Sequence, residues 1–315
     1  MQTVVGKTNE VPLYQDFLTV LEQPLYQNIL KIVSGKSKSG FVLFDSNSKK
    51  INEILNLCKR LEIPNEKIKV LDPTKPWSLK FQPFSAATLD SASNLRQTID
   101  IILWKSEEFL KNTQTELIYA LTQLAILSFG PKTTINHVIR LFLEPRFLAD
   151  TVENLHNQYN KKIEPTFHSH ENIKHIEGLI EYFRHDVLVY KTIEMNPALF
   201  PREHKYAGRQ IIVNKKESYL DGVKKLFNDF LNSKIMPNLF NYDDGKEIFN
   251  TELFIKEGGV LLVNSATTET ENKEPPLFGQ LFLTHFQNAV SRHTRECVIT
   301  GIKSTPIIFY PCRML

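Results

Sequence analysis

The sequence holds little cysteine and no long apolar run, and each absence closes off a class of protein. Three cysteines, Cys58, Cys297 and Cys312, stand in 315 residues. They are far apart, odd in number and without metal-ligand spacing, so they read as free thiols of a reducing compartment rather than a disulfide framework. No stretch approaches the ~18–20 consecutive apolar residues of a membrane span, and the amino-terminal segment lacks a charged start followed by a short apolar run. The chain as given is therefore expected neither to span a membrane nor to be exported, and a cytoplasmic location follows. Charge of one sign is scarce as well: 38 Lys and Arg oppose 35 Asp and Glu, a net +3. Whole-chain charge announces no polyanion, and any such site must be a local patch. Internal repeats and low-complexity tracts are missing too.

What is present is ordinary for a globular protein. Hydrophobic residues make up 42% and charged residues 23%, far from the composition of disorder. The length suggests two domains.

Apolar periodicity sketches the elements. Thr3-Val4-Val5 reads as a strand end, and helical segments run through residues 13–33 with an interruption at Pro24. Gly40-Phe41-Val42-Leu43-Phe44-Asp45 reads as a strand, residues 50–61 as a helix with Ile51, Ile54, Leu55, Cys58 and Leu61 on one face, and residues 68–71 as a second strand. Strand, helix, strand at this spacing is a βαβ unit, which calls for a parallel sheet. From 91 to 183 apolar residues recur at three- and four-residue steps, which predicts an all-helical block. The α/β alternation returns with a helix at 223–231, a strand at 259–264, a helix at 276–293 and a final apolar run at 306–310. The expected organisation is a first part of an α/β core at 1–90, an all-helical insertion with a basic connector at 91–218, and a second part of the core at 219–315.

Several landmarks carry a resemblance in this order. They are Gly40 to Asp45, then Val70-Leu71-Asp72-Pro73 followed by Phe81-Gln82-Pro83-Phe84, then Trp104 with the helix after it, and finally Leu253 to Asn264 with the amphipathic helix that follows. Together they resemble the TraG/TraD family of type IV secretion coupling proteins, the DNA-pumping ATPases of bacterial conjugation, and more broadly the HerA/FtsK group. Gln82 departs from the family's asparagine. The resemblance implies a RecA-like P-loop NTPase core, mostly parallel, with an inserted all-helical domain. It also implies ATP and Mg²⁺ as cofactors, single-stranded DNA and relaxosome or secretion proteins as partners, a homo-hexamer in intact relatives, and a place at the inner face of the cell membrane.

The chemistry of that family needs a glycine-rich loop with a phosphate lysine and a hydroxyl on Mg²⁺. Gly35-Lys36-Ser37 lacks a glycine five residues upstream and precedes a strand, so it reads as a loop; Gly6-Lys7-Thr8 is the candidate, and it allows two registers. If it ends the motif, Met1 holds the first glycine position and almost no strand precedes the loop. If Gly6 begins the motif, Asn9 and Val11 replace glycines, Pro12 the lysine and Leu13 the hydroxyl residue. The second register is preferred because it keeps the strand. It loses the groups that stabilise phosphoryl transfer, and an ordinary strand-to-helix turn explains the tripeptide as well.

The acidic pair that should follow the strand Pro306-Ile307-Ile308-Phe309-Tyr310 is replaced by Pro311, Cys312, Arg313, Met314 and Leu315. The expectation is a truncated or frameshifted coupling protein, unable to hydrolyse ATP as given, or alternatively a non-enzymatic adaptor that joins an intact hexamer. Asp45 is a degenerate nucleotide-site candidate whose other reading is a helix-capping or turn carboxylate. Arg202, Lys205, Arg209, Lys215 and Lys216 form a basic stretch that could touch a DNA backbone, or simply a solvated connector. His168, His170 and His175 do not fall on one helical face, so no metal site is assigned. His285 is read as a packed histidine, and no catalytic residue is assigned.

Overall fold

The structure, a computed structural model, describes residues 24–45, 49–64, 67–84, 90–160, 170–242, 245–265 and 277–312. In chain order the helices and strands begin with α1 (Pro24–Val33), β1 (Gly40–Asp45), α2 (Lys49–Arg60) and β2 (Ile68–Leu71). A helical run follows: α3 (Asp90–Ile102), α4 (Glu108–Phe129), α5 (Ile135–Leu143), α6 (Pro145–Asn160) and α7 (His170–Glu181). After a π turn at Tyr182–Val187 come β3 (Leu188–Tyr190), β4 (Thr192–Ile193), β5 (Asn196–Pro197) and β6 (Ile212–Asn214). The chain closes with α8 (Asp221–Asn232), α9 (Pro237–Phe240), α10 (Thr251–Glu257), β7 (Gly259–Asn264), α11 (Leu277–Thr300) and β8 (Ile307–Cys312).

Among the described residues the chain divides into two compact units, one drawn from residues 1–80, 241–268 and 289–315 and the other from 81–240 and 269–288. The boundaries anticipated at 90/91 and 218/219 move to 80/81 and 240/241 for a packing reason. Phe81 meets Phe240, Phe278 and Phe282 edge-on at centroid distances of 6.1, 5.8 and 5.7 Å. Phe227 of α8 packs edge-on to Phe142 at 5.1 Å. Such aromatic contacts bury large apolar areas and bind these segments to the helices.

The first unit holds a four-stranded, all-parallel sheet in the order β2-β7-β1-β8. β1 is buried along its whole length, which is why its sequence is a continuous apolar run rather than an alternating one. Phe41, Leu43, Val70, Val260 and Leu262 turn one face of the sheet toward α1 and α2, where Tyr26, Ile29, Ile51, Ile54 and Cys58 complete a core. The helical face expected through Leu55 and Leu61 runs instead through Leu57, with Leu55 and Leu61 only partly buried at its rim. β7 enters the sheet through two glycines. Gly258 caps α10 with φ 78° and ψ −163°, a region open essentially to glycine, and Gly259 N–H donates to the Ser39 carbonyl at 3.1 Å.

The second unit is built on α3 to α8. α5 starts with a capping box, in which His137 N–H donates to Thr134 Oγ1 and Thr134 N–H donates to His137 Nδ1 at 3.1 Å, so two orphan amides at the helix start are satisfied reciprocally. The block expected to be all-helical is not wholly so. Its later part carries two small antiparallel pairs, β3 with β6 and β4 with β5, because β-branched and aromatic residues at 187–193 and 211–213 favour extended backbone over helix. The strand expected at 3–5 and the helical turns expected at 13–23 lie outside the described residues.

Candidate ligand site at the carboxyl ends of the sheet

In open parallel sheets ligands bind beyond the carboxyl ends of the strands. Here those ends carry buried polar residues: Asp45 closes β1, Asp72 follows β2, and Asn264 and Ser265 close β7, all of them nearly or wholly inaccessible. Each lies at, or directly after, the last residue of its strand.

Asp45 Oδ2 accepts from the Lys50 and Ile51 amides at 2.9 and 3.4 Å. The carboxylate therefore sits at the start of α2, where unpaired amides and the helix dipole both favour negative charge. The Asp45 carbonyl accepts from the Ser265 amide at 2.8 Å, which locks the ends of β1 and β7 together.

Asp72 makes the tightest cluster. Its Oδ1 accepts from Thr74 N–H at 2.9 Å, from the Thr74 hydroxyl at 2.7 Å and from Asn264 Nδ2 at 2.8 Å. Its own amide donates to Ser78 Oγ at 2.9 Å. Thr74 makes this an Asx turn, while Asn264 ties the end of β2 to the end of β7. Asp72 Oδ2, buried as well, meets no donor among the described residues. A buried carboxylate oxygen without a donor is costly and marks a place where a water or ligand donor gains from binding.

The candidates named from sequence do not all converge here. Gly6, Lys7 and Thr8 lie outside the described residues. Of the basic stretch, Arg209 makes a two-pronged bridge to Asp150 at 2.7 and 2.6 Å, Lys205 pairs with Glu144 at 2.8 Å, and Lys216 donates to the Tyr182 hydroxyl at 2.9 Å. Arg202 and Lys215 are exposed and make no ion pair among the described residues. Glu144 also accepts from Arg140 Nε at 3.3 Å and from the Tyr206 hydroxyl at 2.6 Å. Burial pushes the Glu144 carboxyl upward, but the hydrogen bonds from Lys205, Tyr206 and Arg140 outweigh it and hold the group below the usual carboxylate range. Segment 200–209 is therefore fastened at two points, to α6 through Asp150 and to the α5–α6 junction through Glu144, rather than hanging free.

Among the described residues no three of His, Cys, Asp and Glu converge to hold a metal ion. His285 packs edge-on against Phe81 at 5.5 Å, and its Nδ1 lies 3.3 Å from Asn94 Nδ2. Sequence reasoning missed the Asp72–Asn264 contact as a site. Its signal was a polar residue directly after each of two apolar strands, and only the sheet order makes those ends neighbours.

No family model matches the chain, and no curated protein matches it either. Among the described residues no helix is long and apolar enough to cross a membrane.

Proposed function

We propose that the chain is a binding form of the conjugative coupling proteins of the TraG/TraD type, with a RecA-like core, an inserted helical block, and no ATP turnover. The observation that carries this reading is the way four resemblance-bearing segments meet. β7, which follows β2 only after the helical run, enters between β2 and β1 with Gly259 beside Gly40 and Asn264 beside Asp45, and β8 lies on the far side of β1. A strand that returns to the middle of a parallel sheet after a long helical excursion is what a split core with an insertion requires.

ATP with Mg²⁺, the cofactor pair the resemblance implies, would set its metal near carboxylates such as Asp45 and Asp72, and the loop that would cradle its phosphates, Gly6-Lys7-Thr8, lies outside the described residues. The engagement of Asp45 Oδ2 and Asp72 Oδ1 by the chain's own donors favours a second reading, an adaptor that joins an intact coupling ATPase and leaves nucleotide chemistry to it.

Single-stranded DNA is the partner to test first, by fluorescence anisotropy of a labelled oligonucleotide over a salt series. With Arg202 and Lys215 as the cations of the basic stretch left without an ion pair among the described residues, the contribution of that stretch to the slope of log K against log salt is expected to be about −1.4, at roughly −0.7 per neutralised phosphate. No binding at low salt would remove the DNA-transfer reading and leave the adaptor. Turnover of ATP by the purified chain would overturn the non-hydrolysing assignment.

A further inference from the structure

The second unit carries an exposed apolar hairpin tip and an open groove, and neither finds an explanation among the described residues. The tip is the two-residue turn between β4 and β5, where Ile193 pairs with Asn196. Glu194 and Met195 in that turn hold φ of 50° and 66°, the left-handed pair of a type I′ turn that normally selects Asn and Gly. Met195 is 98% exposed and Ile193 67%. Local propensity disfavours these residues here, and no burial repays them.

The groove, about 360 Å³, lies between α4 and α7. Ala120 and Leu179 are its buried apolar floor. Gly178 stands mid-helix in α7, where glycine is a poor helix former, yet a Cβ built on it meets nothing within 4 Å. Internal packing does not require this glycine, whereas a close visitor to the helix backbone would. His175 on the same wall has a buried Nε2 with no hydrogen-bond partner among the described residues. Lys174 and Glu116 stand at the rim, both exposed.

We propose that the hairpin tip of one copy of this chain docks in the α4–α7 groove of a second copy. Met195 fills the space over Gly178 against Ala120 and Leu179, with the Tyr182 ring at the edge as a sulfur–aromatic partner. Glu194 meets Lys174, and Lys191 at the hairpin base answers Glu116. Charge complementarity of this kind sets partner and register. A one-way tip–groove contact is heterologous and extends into rings or open chains, whereas reciprocal exchange of tips closes a two-fold dimer. The proposal needs neither DNA nor nucleotide and stands apart from the coupling-protein reading.

Sedimentation velocity on the whole chain tests it. The mass of the unaltered chain is expected to rise with concentration in the micromolar range. Met195→Asp and Gly178→Trp should each remain monomeric. An equimolar mixture of the two should form a one-to-one dimer, since one keeps the groove and the other keeps the tip. Should Gly178→Trp disturb α7, the charge pair replaces it: Glu194→Lys and Lys174→Glu should each weaken association at least tenfold, and the double variant should recover it. A chain monomeric at every concentration overturns the proposal. So do variants that assemble like the parent, as they would if the β8 edge did the joining, and so does a charge-swapped double variant no better than its singles.

Discussion

Replacing Gly258 with alanine tests how β7 is set into the sheet. At φ 78° and ψ −163° an L-residue pays roughly 1–3 kcal/mol in backbone strain alone. The added Cβ would also stand 2.6 Å from the Ser39 carbonyl oxygen and 2.8 Å from its carbon. These are backbone atoms with no rotamer to yield, so Ser39 must shift. That carbonyl accepts the Gly259 amide at the first rung of the β1–β7 pairing, and weakening the bond adds roughly 0.5–1.5 kcal/mol. A total near 2–4 kcal/mol is expected. Gly35→Ala is the control, because Gly35 has φ 75° but open space around it, so only the left-handed penalty of about 1–2 kcal/mol applies. The chain has two tryptophans, and Trp77 belongs to the first unit while Trp104 belongs to the second. In a Trp104→Phe background, Trp77 fluorescence during urea unfolding reports the sheet unit alone. At a typical m of about 1–3 kcal/mol/M, Gly258→Ala should lower the midpoint by about 1–2 M, well beyond Gly35→Ala. Equal shifts in the two variants would refute the argument from the Ser39 contact.

Three further outcomes follow from the buried groups. Asp72→Ala strips the acceptor from Thr74 and Asn264 and should cost the sheet unit about 3 kcal/mol. Asp72→Asn keeps that acceptor and should cost about 1–2 kcal/mol, so equal urea midpoints for the two would contradict the assigned network. Burial, with help from Arg140, holds the His137 imidazole below its ordinary value. On acidification the unfolded chain therefore takes up its proton first, near about pH 6.5, and stability falls until the folded group titrates. The thermal midpoint of the second unit should be lower in mild acid than at neutral pH, and less so in His137→Gln, where glutamine can keep the capping box; an equal drop in both chains would exclude His137 as the cause. Burial pushes the Cys58 thiol up to about 11, which leaves on the order of one thiolate in a thousand at pH 8. Mass mapping after brief treatment with a thiol reagent should find Cys58 unlabelled until urea unfolds the sheet unit, and rapid labelling of the native chain would contradict its burial.

Elements whose signal is local were legible in the sequence. The apolar run at 40–45 and the run at 259–264 fall on β1 and β7 as read, and the periodic stretch at 50–61 falls on α2 to within a residue. The run of helices from 90 to 181 follows from the same three- and four-residue spacing. Small errors arose where one residue could serve two faces, as with Leu55 against Leu57. The short strands at 188–197 escaped because two- and three-residue elements are too brief for any periodicity to register.

The candidate site was only half visible. Asp45 stood out as the polar end of an apolar strand, whereas Asp72 and Asn264 lie 192 residues apart and no local pattern joins them. Likewise the basic stretch could be read as free charge until Asp150 of α6 and Glu144 at the α5–α6 junction, both tens of residues upstream, took up Arg209 and Lys205. The amino-acid order alone determined which segments are helical, which are buried strands and where apolar faces lie, because those depend on neighbours within a few residues. The tertiary structure decided that β7 lies between β1 and β2, which carboxylates meet which donors, and which cations stay available. Those outcomes depend on hydrogen bonds and ion pairs closed across long loops, and it is the packing of the whole chain, not any local preference, that selects their partners.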